Sequence, residues 1–236
     1  MANKKVSADI VRTGIGGITI QGDLLYKGAS DLERLPKGTA AQVLTMNGGA
    51  TAPSWGDAAA GGAWTIIGTA VADDSASLTV TGLNSTYDTY AISISDLLPA
   101  NDMVHLWLRV GDSGGIDSGA SDYSHTVVRH NSDSTPSAQP YGDAADSEME
   151  LSGGDAIGNN TGEGYGGMLY LHRPGDGTTF PMITGTGMYS KSAVLSMAIQ
   201  FSGARLSVIT LDRILIQMSS GNIASGRLTV WGISHA

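Results

Sequence analysis

The sequence predicts an all-β protein, in which an extended N-terminal leader precedes a jelly-roll-like antiparallel β-sandwich. Apolar and polar residues alternate with period two in many short runs, which is the spacing of half-buried strands. Stretches rich in Gly, Asp, Ser and Asn separate these runs, and 33 of the 236 residues are glycine. Few segments show the i, i+3, i+4, i+7 apolar spacing of an amphipathic helix.

Composition excludes several classes of protein. A hydrophobic fraction of 41% and a mean hydropathy of +0.01 are too apolar for a disordered chain. No apolar stretch approaches the ~20 residues of a membrane helix, and no apolar region follows the two N-terminal lysines, so neither membrane insertion nor a secretory signal is expected. The net charge is −9 and no Lys/Arg cluster offsets it, which argues against nucleic acid as a partner. Without cysteine, disulfides and thiolate metal sites are excluded.

The clearest predicted strand runs from Val104 to Val110. Its four aliphatic residues fall on one face, whereas His105, Trp107 and Arg109 fall on the other. Ser192–Phe201 contains good helix formers, but its short length and alternation favour a strand. With the weaker runs, roughly ten strands are expected, the number typical of a two-sheet sandwich. The other predicted strands are 64–68, 78–81, 90–94, 124–129, 168–172, 181–186, 206–211, 214–218 and 228–233.

Long polar loops are predicted at 112–122, 131–147 and 152–164. A Gly/Ala-rich joint at 56–63 divides the leader, residues 1–55, from the sandwich, residues 64–236. The leader contains too few apolar residues for a core of its own. It is therefore either a disordered tail or a segment that gains order by pairing with other chains or docking on a larger body.

Two sets of motifs resemble known virion proteins. The leader reads GDLLYKG at 22–28, LPKGT at 35–39, QVL at 42–44 and APSW at 52–55. This ordered string resembles a module of tailed-bacteriophage tail fibres and related virion surface proteins, which has Gly where this chain has Ala41. The residues that match the attachment module are Leu24, Leu25, Tyr26, Leu35, Pro36, Val43, Leu44 and Trp55. Segments at 82–90, 108–110, 118–123 and 219–226 are similar to a β-rich domain that follows the module in phage structural proteins.

This resemblance implies a non-enzymatic structural protein of the virion, made in the bacterial host cytoplasm. It implies a tail fibre or receptor-binding tip that attaches through its leader, forms a homotrimer and contacts other phage virion proteins. The target in host attachment would be a bacterial surface glycan or an outer-membrane protein. Multivalent display of several copies would convert weak contacts into avidity. The alternative is a capsid decoration or tail-assembly protein with no receptor role.

Six residues are candidates for partner binding. His105, Trp107 and Arg109 form a row that combines an aromatic surface, a donor and a cation, suited to stacking on a sugar or filling a partner's pocket. The alternative for Trp107 is packing against a second sheet or subunit. Tyr123, Tyr141 and Tyr165 lie in or beside the long loops and form a candidate adaptable surface.

Motifs for catalysis or cofactors are weak, and neither a catalytic residue, a metal site nor a cofactor is expected. Gly162–Gly167 matches G-x-G-x-x-G, but a strand follows it where a dinucleotide site needs a helix. The histidines lack metal-ligand spacing. Paired loop carboxylates would suit a polysaccharide depolymerase, and Asp112 with Asp117 would suit a calcium site lacking the usual loop pattern. The acidic candidates are Asp112, Asp117, Asp143, Asp146, Glu148, Glu150, Asp155 and Glu163.

Overall fold

Every regular element in the described part of the chain is a β-strand. The computed structural model describes residues 18, 20–58, 63–132, 137–172, 177–192 and 194–234. The chain divides into two compact units, Met1–Gly62 and Ala63–Ala236. The start of the predicted leader, residues 1–17, and residues 59–62 of the predicted joint lie outside the described residues. Within those described, no helical segment has the length and hydropathy of a membrane span.

The first unit contains two β-hairpins. Strands β1 (Leu24–Lys27) and β2 (Leu32–Leu35) pair antiparallel, and so do β3 (Gln42–Met46) and β4 (Pro53–Asp57). The predicted joint therefore starts too early, because Gly56 and Asp57 still pair with β3. No described residue of this unit is buried, in agreement with the few apolar residues that its sequence offers.

Side-chain hydrogen bonds hold the first unit together in place of a core. The Asp23 carboxylate accepts bonds from Arg34 Nε at 2.8 Å and from the backbone N–H groups of Ile20 and Lys37. The Trp55 indole donates to the carbonyl of Pro36 at 2.6 Å, and its ring covers Gly38 so closely that an added Cβ would lie 2.7 Å from it. The spaced motifs of the leader are thus in mutual contact, which accounts for their occurrence together.

Ala41 occupies a backbone conformation that favours glycine. Its φ is 69°, and it lies in a turn where the Gln42 N–H donates to the Thr39 carbonyl. A left-handed alanine costs about 1–2 kcal/mol relative to its ordinary conformations. Glycine adopts this conformation without that cost.

Ala41→Gly is expected to stabilise the first unit by about 0.5–1 kcal/mol, because it removes the left-handed strain. Hydrogen exchange of the β3 and β4 amides in the full chain measures this effect as slower exchange. Ala40→Gly is the matched control, since Ala40 does not have positive φ, and it should accelerate exchange. Equal effects of the two variants would contradict the strain at Ala41.

The second unit is a β-sandwich of two antiparallel sheets. Its strands are β5 (Trp64–Ser75), β6 (Leu78–Thr81), β7 (Thr89–Pro99), β8 (Leu106–Asp112), β9 (Gly115–Ile116), β10 (Tyr123–Asn131), β11 (Ala138–Asp146), β12 (Met149–Glu150), β13 (Gly164–His172), β14 (Met182–Ser192), β15 (Leu195–Arg205), β16 (Arg213–Met218) and β17 (Ile223–Ile233). The large sheet has the order β11-β10-β15-β14-β13-β7-β17-β5. The small sheet has the order β12-β8-β16-β6, with β9 beside β8. The all-β sandwich predicted from the sequence is confirmed.

One core lies between the two sheets. Leu106, Leu108 and Val110 of β8 are buried in the same cluster as Ile92 of β7 and Val230 of β17. Strand β17 lies between β7 and β5, so the last strand of the unit pairs with its first. At the Gly-rich match, β13 begins at Gly164 and has a bulge between Tyr165 and Gly167, so a strand occupies the position where the sequence predicts one.

Two local predictions were wrong. Residues 206–211 are not a strand: the Leu206 N–H donates to the Asp122 carbonyl, and Leu211 is a buried anchor in an irregular segment. The predicted loop 131–147 contains the nine-residue edge strand β11, which pairs along β10. The sequence does not reveal this strand because it contains Pro140 and Gly142, which are uncommon in strands. An exposed edge strand also needs no alternation of apolar and polar residues.

Candidate binding surface

The outer face of the small sheet carries the predicted row of His105, Trp107 and Arg109. These half-buried residues alternate with buried Leu106 and Leu108, as the period of two predicts. Strand β12 pairs antiparallel with β8 and places Glu150 opposite Trp107. We call His105, Trp107, Arg109, Glu148 and Glu150 the β8–β12 surface.

Glu150 is the most heavily hydrogen-bonded carboxylate of this surface. Its Oε1 accepts bonds from His105 Nδ1 at 2.9 Å, Ser152 Oγ at 2.8 Å and the Gly154 backbone N–H at 2.7 Å. Its Oε2 accepts a bond from the Tyr141 hydroxyl at 3.1 Å. Residues of β8, β11 and β12 are therefore joined through one buried side chain.

This network shifts the pKa values of both members of the ion pair. Burial alone would raise the pKa of Glu150, but the hydrogen bonds from His105 and Ser152 outweigh it and lower the pKa below its usual value. The hydrogen bond with Glu150 raises the pKa of His105. The pair is consequently charged on both sides in mildly acidic solution, and Glu150 is a poor proton donor near neutral pH.

The Arg109 side chain is held in place by an ion pair, a hydrogen bond and an aromatic contact. Its Nη2 lies 2.8 Å from Glu148 Oε2, its Nε donates to the Ser147 carbonyl at 2.9 Å, and its guanidinium stacks 5.5 Å from the centroid of the Trp107 ring. Ser147 Oγ also bonds to Glu148. The surface therefore presents the Arg109 cation and the Trp107 ring in fixed positions, an arrangement that is suited to stacking against a flat partner group.

The three tyrosine candidates lie in different environments. Tyr141 is partly exposed, and burial with the Glu150 charge raises its pKa to about 12. Tyr123 and Tyr165 are buried, so their assignment to a loop surface was wrong. The Tyr123 hydroxyl bonds to the backbone of Val110 and Asp117, which makes it a core anchor that fixes the 112–122 loop.

Arg205 pairs with Asp117, one of the two candidate calcium ligands, and with Asp122. Its Nε lies 2.8 Å from Asp117 Oδ2 and its Nη2 lies 3.1 Å from Asp122 Oδ1, while its guanidinium stacks 5.7 Å from the Tyr123 ring. Asp112 Oδ1 accepts a bond from the Gly114 N–H. Among the described residues, no group of three or more His, Asp or Glu side chains has the arrangement of a metal site.

His125 is buried at the inner face of β10. Neither ring nitrogen has a hydrogen-bond partner, and its ring centroid lies 5.8 Å from that of Tyr141. Burial lowers the pKa of His125, although the charges of Asp146, Glu150, Asp143 and Glu148 partly oppose the shift. His130 is exposed on the opposite face of this strand, as predicted.

His125→Leu is expected to increase the free energy of unfolding by about 1–2 kcal/mol at pH 5 and by less at pH 8. A histidine with a lowered folded pKa costs stability as pH falls below the unfolded value of about 6.5, because the unfolded chain binds the proton first. Urea unfolding at the two pH values measures the difference. His130→Leu is the control: because His130 is exposed, its replacement should not produce the stabilisation expected at position 125. Unchanged stability of His125→Leu at pH 5 would contradict the assignment.

Three comparisons, with protein-family models, curated proteins and solved structures, found no match to this chain.

The row of His105, Trp107 and Arg109 lies where the sequence predicts it. The sequence predicts Glu148 and Glu150 as loop carboxylates, whereas both are almost fully buried beside this row. The alternation of Glu148, Met149 and Glu150 was the available signal, because it places the two acids on one face and the methionine in the core. The Tyr141 contact had no such signal, since it depends on the approach of β11 to the loop after β12.

Proposed function

We propose that this chain is a bacteriophage virion surface protein, a tail fibre or receptor-binding tip. Its N-terminal unit attaches it to other virion proteins, and its sandwich is displayed for recognition of a host-surface glycan or outer-membrane protein. The motif resemblance of the leader supports this assignment to the virion. The assembly proposed is a homotrimer, as the resemblance implies.

The observation that carries the proposal is the exposed apolar surface of the N-terminal hairpins. Leu24, Leu32, Val43, Leu44 and Met46 are all exposed, and no described residue of their unit is buried. Two-stranded hairpins are marginal by themselves in water and gain stability when an apolar face is covered. An attachment segment that a partner covers in the assembled particle exposes apolar residues of this kind before assembly.

The β8–β12 surface supports recognition rather than catalysis. A glycoside hydrolase needs one carboxyl group with a raised pKa as general acid, whereas the pKa of Glu150 is lowered. Arg109 neutralises the neighbouring Glu148. The stacked Trp107 and Arg109 pair instead offers a rigid binding surface, so the proposed role is non-enzymatic.

A second candidate is a capsid decoration or tail-assembly protein. The exposed hairpins favour this candidate equally, because their apolar residues are also suited to packing against a capsid. Copy number separates the candidates: hundreds of copies on the head indicate decoration, and a few at the tail indicate a fibre. Competition with phage adsorption by the purified chain supports receptor recognition, and binding to purified capsids alone contradicts it.

Deletion of residues 1–55 is expected to abolish incorporation into particles while the second unit keeps its β-sheet circular dichroism. The reason is that the exposed attachment residues lie in the first unit and the buried core in the second. Immunoblots of purified particles measure incorporation. In the full chain, Val43→Ser with Leu44→Ser should reduce incorporation at least about tenfold, because burying each leucine or valine contributes about 1.5–3 kcal/mol. Normal incorporation of both variants would contradict attachment through the leader.

A further inference from the structure

The exposed face of the large sheet is crossed by three adjacent rows of aligned residues. The strand registers place Ile66, Trp231, Tyr170, Thr184, Ser202 and Thr126 in the central row, from β5 to β10. One flanking row contains Trp64, His172 and Met182, and the other contains Thr229, Met168 and Gln200. We call these three rows the large-sheet face.

The large-sheet face contains no Lys, Arg, Asp or Glu. Its remaining positions are Ser, Thr, Ala, Gly, Val, Ile or Pro. The chain has 13 basic and 22 acidic residues in total, so a neutral area of this extent is a marked departure from the rest of its surface. Monomeric proteins usually distribute charge over such faces, and its depletion is typical of the centre of a protein interface.

Large apolar side chains project from the same face. Trp64 and Met182 are exposed, and Ile66 is 65% exposed. In the next row Val71 and Met188 are exposed as well, beside the exposed Arg227 that pairs with Val71. Trp64 packs edge-on against Tyr170 and at 6.0 Å from Trp231, so it forms a raised aromatic cluster at the β5 end of the face. A shallow groove of about 720 Å³ lies at the other end, beside Tyr141, Thr126 and Ser202, and Asp143 places one carboxylate in its lining.

The size of the face matches that of a stable interface. Eight strands that each occupy ~4.8 Å cover ~38 Å, and three rows that each occupy ~6.7 Å cover ~20 Å. The resulting area of ~770 Å² is close to the ~800 Å² that each partner buries in a standard protein–protein interface.

We infer that the large-sheet face is the surface through which copies of this chain associate. Each copy carries a charge of −9, so contact through charged parts of the surface opposes like charges, whereas the three rows of this face supply no carboxylate to a contact with a neighbouring copy. A glycan is less well matched, because the face offers hydroxyls and one amide but no charged group for bidentate hydrogen bonds. The inference deepens the proposed function and rests on it only for the expectation that copies assemble.

The test compares two double variants that add the same charge to opposite sheets. Thr186→Glu with Ser202→Glu places two carboxylates on the large-sheet face, and Thr79→Glu with Thr81→Glu places two on exposed positions of β6. Sedimentation velocity of the full chain over a concentration series measures association. We expect the wild-type chain to form an oligomer, the large-sheet variant to weaken association more than about tenfold, and the β6 variant to stay within about twofold of wild type.

Cysteine cross-linking supplies a readout that does not depend on folding of the Glu variants. Because the chain has no cysteine, Ser202→Cys and Thr79→Cys each introduce one thiol. A short bismaleimide should link copies of Ser202→Cys in preference to Thr79→Cys, and equal linking would overturn the inference. A wild-type chain that is monomeric at 100 micromolar, on the order of a weak complex's Kd, would also overturn it.

The outcome is separable from that of the proposed function. A monomer that still enters particles through its leader overturns the inference and leaves the virion function standing. An oligomer that the large-sheet variant dissociates, but that never enters a particle, supports the inference and contradicts the function. A monomer whose large-sheet variant loses binding to host polysaccharide would assign the face to a glycan and overturn self-association.

Discussion

Glu150→Ala is expected to lower the free energy of unfolding by about 2–3 kcal/mol at pH 6, because it leaves several donors without their acceptor. His105, Ser152, Gly154 and Tyr141 all donate to this carboxylate. Urea unfolding followed by tryptophan fluorescence measures the loss. Asp88→Ala is the matched control, since Asp88 is exposed, and it should change stability by less than about 0.5 kcal/mol.

The pH dependence of this variant gives an independent check. A carboxylate whose folded pKa is lowered stabilises the protein above its unfolded pKa of about 4.3, and this contribution is lost as pH falls through the folded value. His105, whose folded pKa is raised, contributes below about pH 6.5, and its contribution is lost as pH rises through the folded value. The difference between wild type and Glu150→Ala should therefore be larger at pH 6 than at pH 9. A difference that is independent of pH would contradict the ion pair.

Arg205→Ala is expected to destabilise the sandwich by about 3 kcal/mol, because it leaves the carboxylates of Asp117 and Asp122 together without their cation. The Arg205 side chain is only 11% exposed, so water screens the interaction weakly. Arg213→Ala is the control: its ion pair with Asp212 is as short but more exposed, and its loss should destabilise the protein much less than the loss of Arg205.

Addition of calcium extends the Arg205 experiment. Wild-type protein should melt at the same temperature with and without millimolar calcium, because Arg205 already neutralises the loop acids. Equal destabilisation by Arg205→Ala and Arg213→Ala would show that burial does not separate the two ion pairs. A higher melting temperature of the wild type in calcium would support the candidate calcium site.

The strands that sequence predicts well are those with one face in the core and one outside. The alternation of Val104–Val110 locates β8, and the run at Leu228–Ile233 locates the end of β17, because burial selects the residue at every second position. Strand β11 was missed since its partner β10 supplies backbone hydrogen bonds and no apolar face is required of it. The residues from Leu206 to Leu211 alternate in polarity but do not form a strand. The Leu206 N–H donates to the Asp122 carbonyl, and the N–H of the following Asp212 donates to the Gly111 carbonyl.

The candidate site was predictable only in part for a related reason. Strand periodicity places His105, Trp107 and Arg109 together, because they belong to one strand. Glu150 lies beside them because its strand β12, some 40 residues further along the chain, pairs with β8. The local sequence does not determine that register. Tyr123 and Tyr165 adjoin glycine-rich segments and were assigned to the surface, yet tertiary packing buries both rings.

The position of β17 between β7 and β5 constrains how the protein is made. Among the described residues, Trp64 pairs with no strand other than β17, whose Ile233 the ribosome adds 169 residues later. During translation, the twelve-residue strand β5 stays unpaired until β17 has been synthesised, and non-local pairing of this kind folds slowly. We therefore expect premature termination before β17 to yield aggregates rather than a smaller soluble product, and the demand for chaperones to last until β17 has been made.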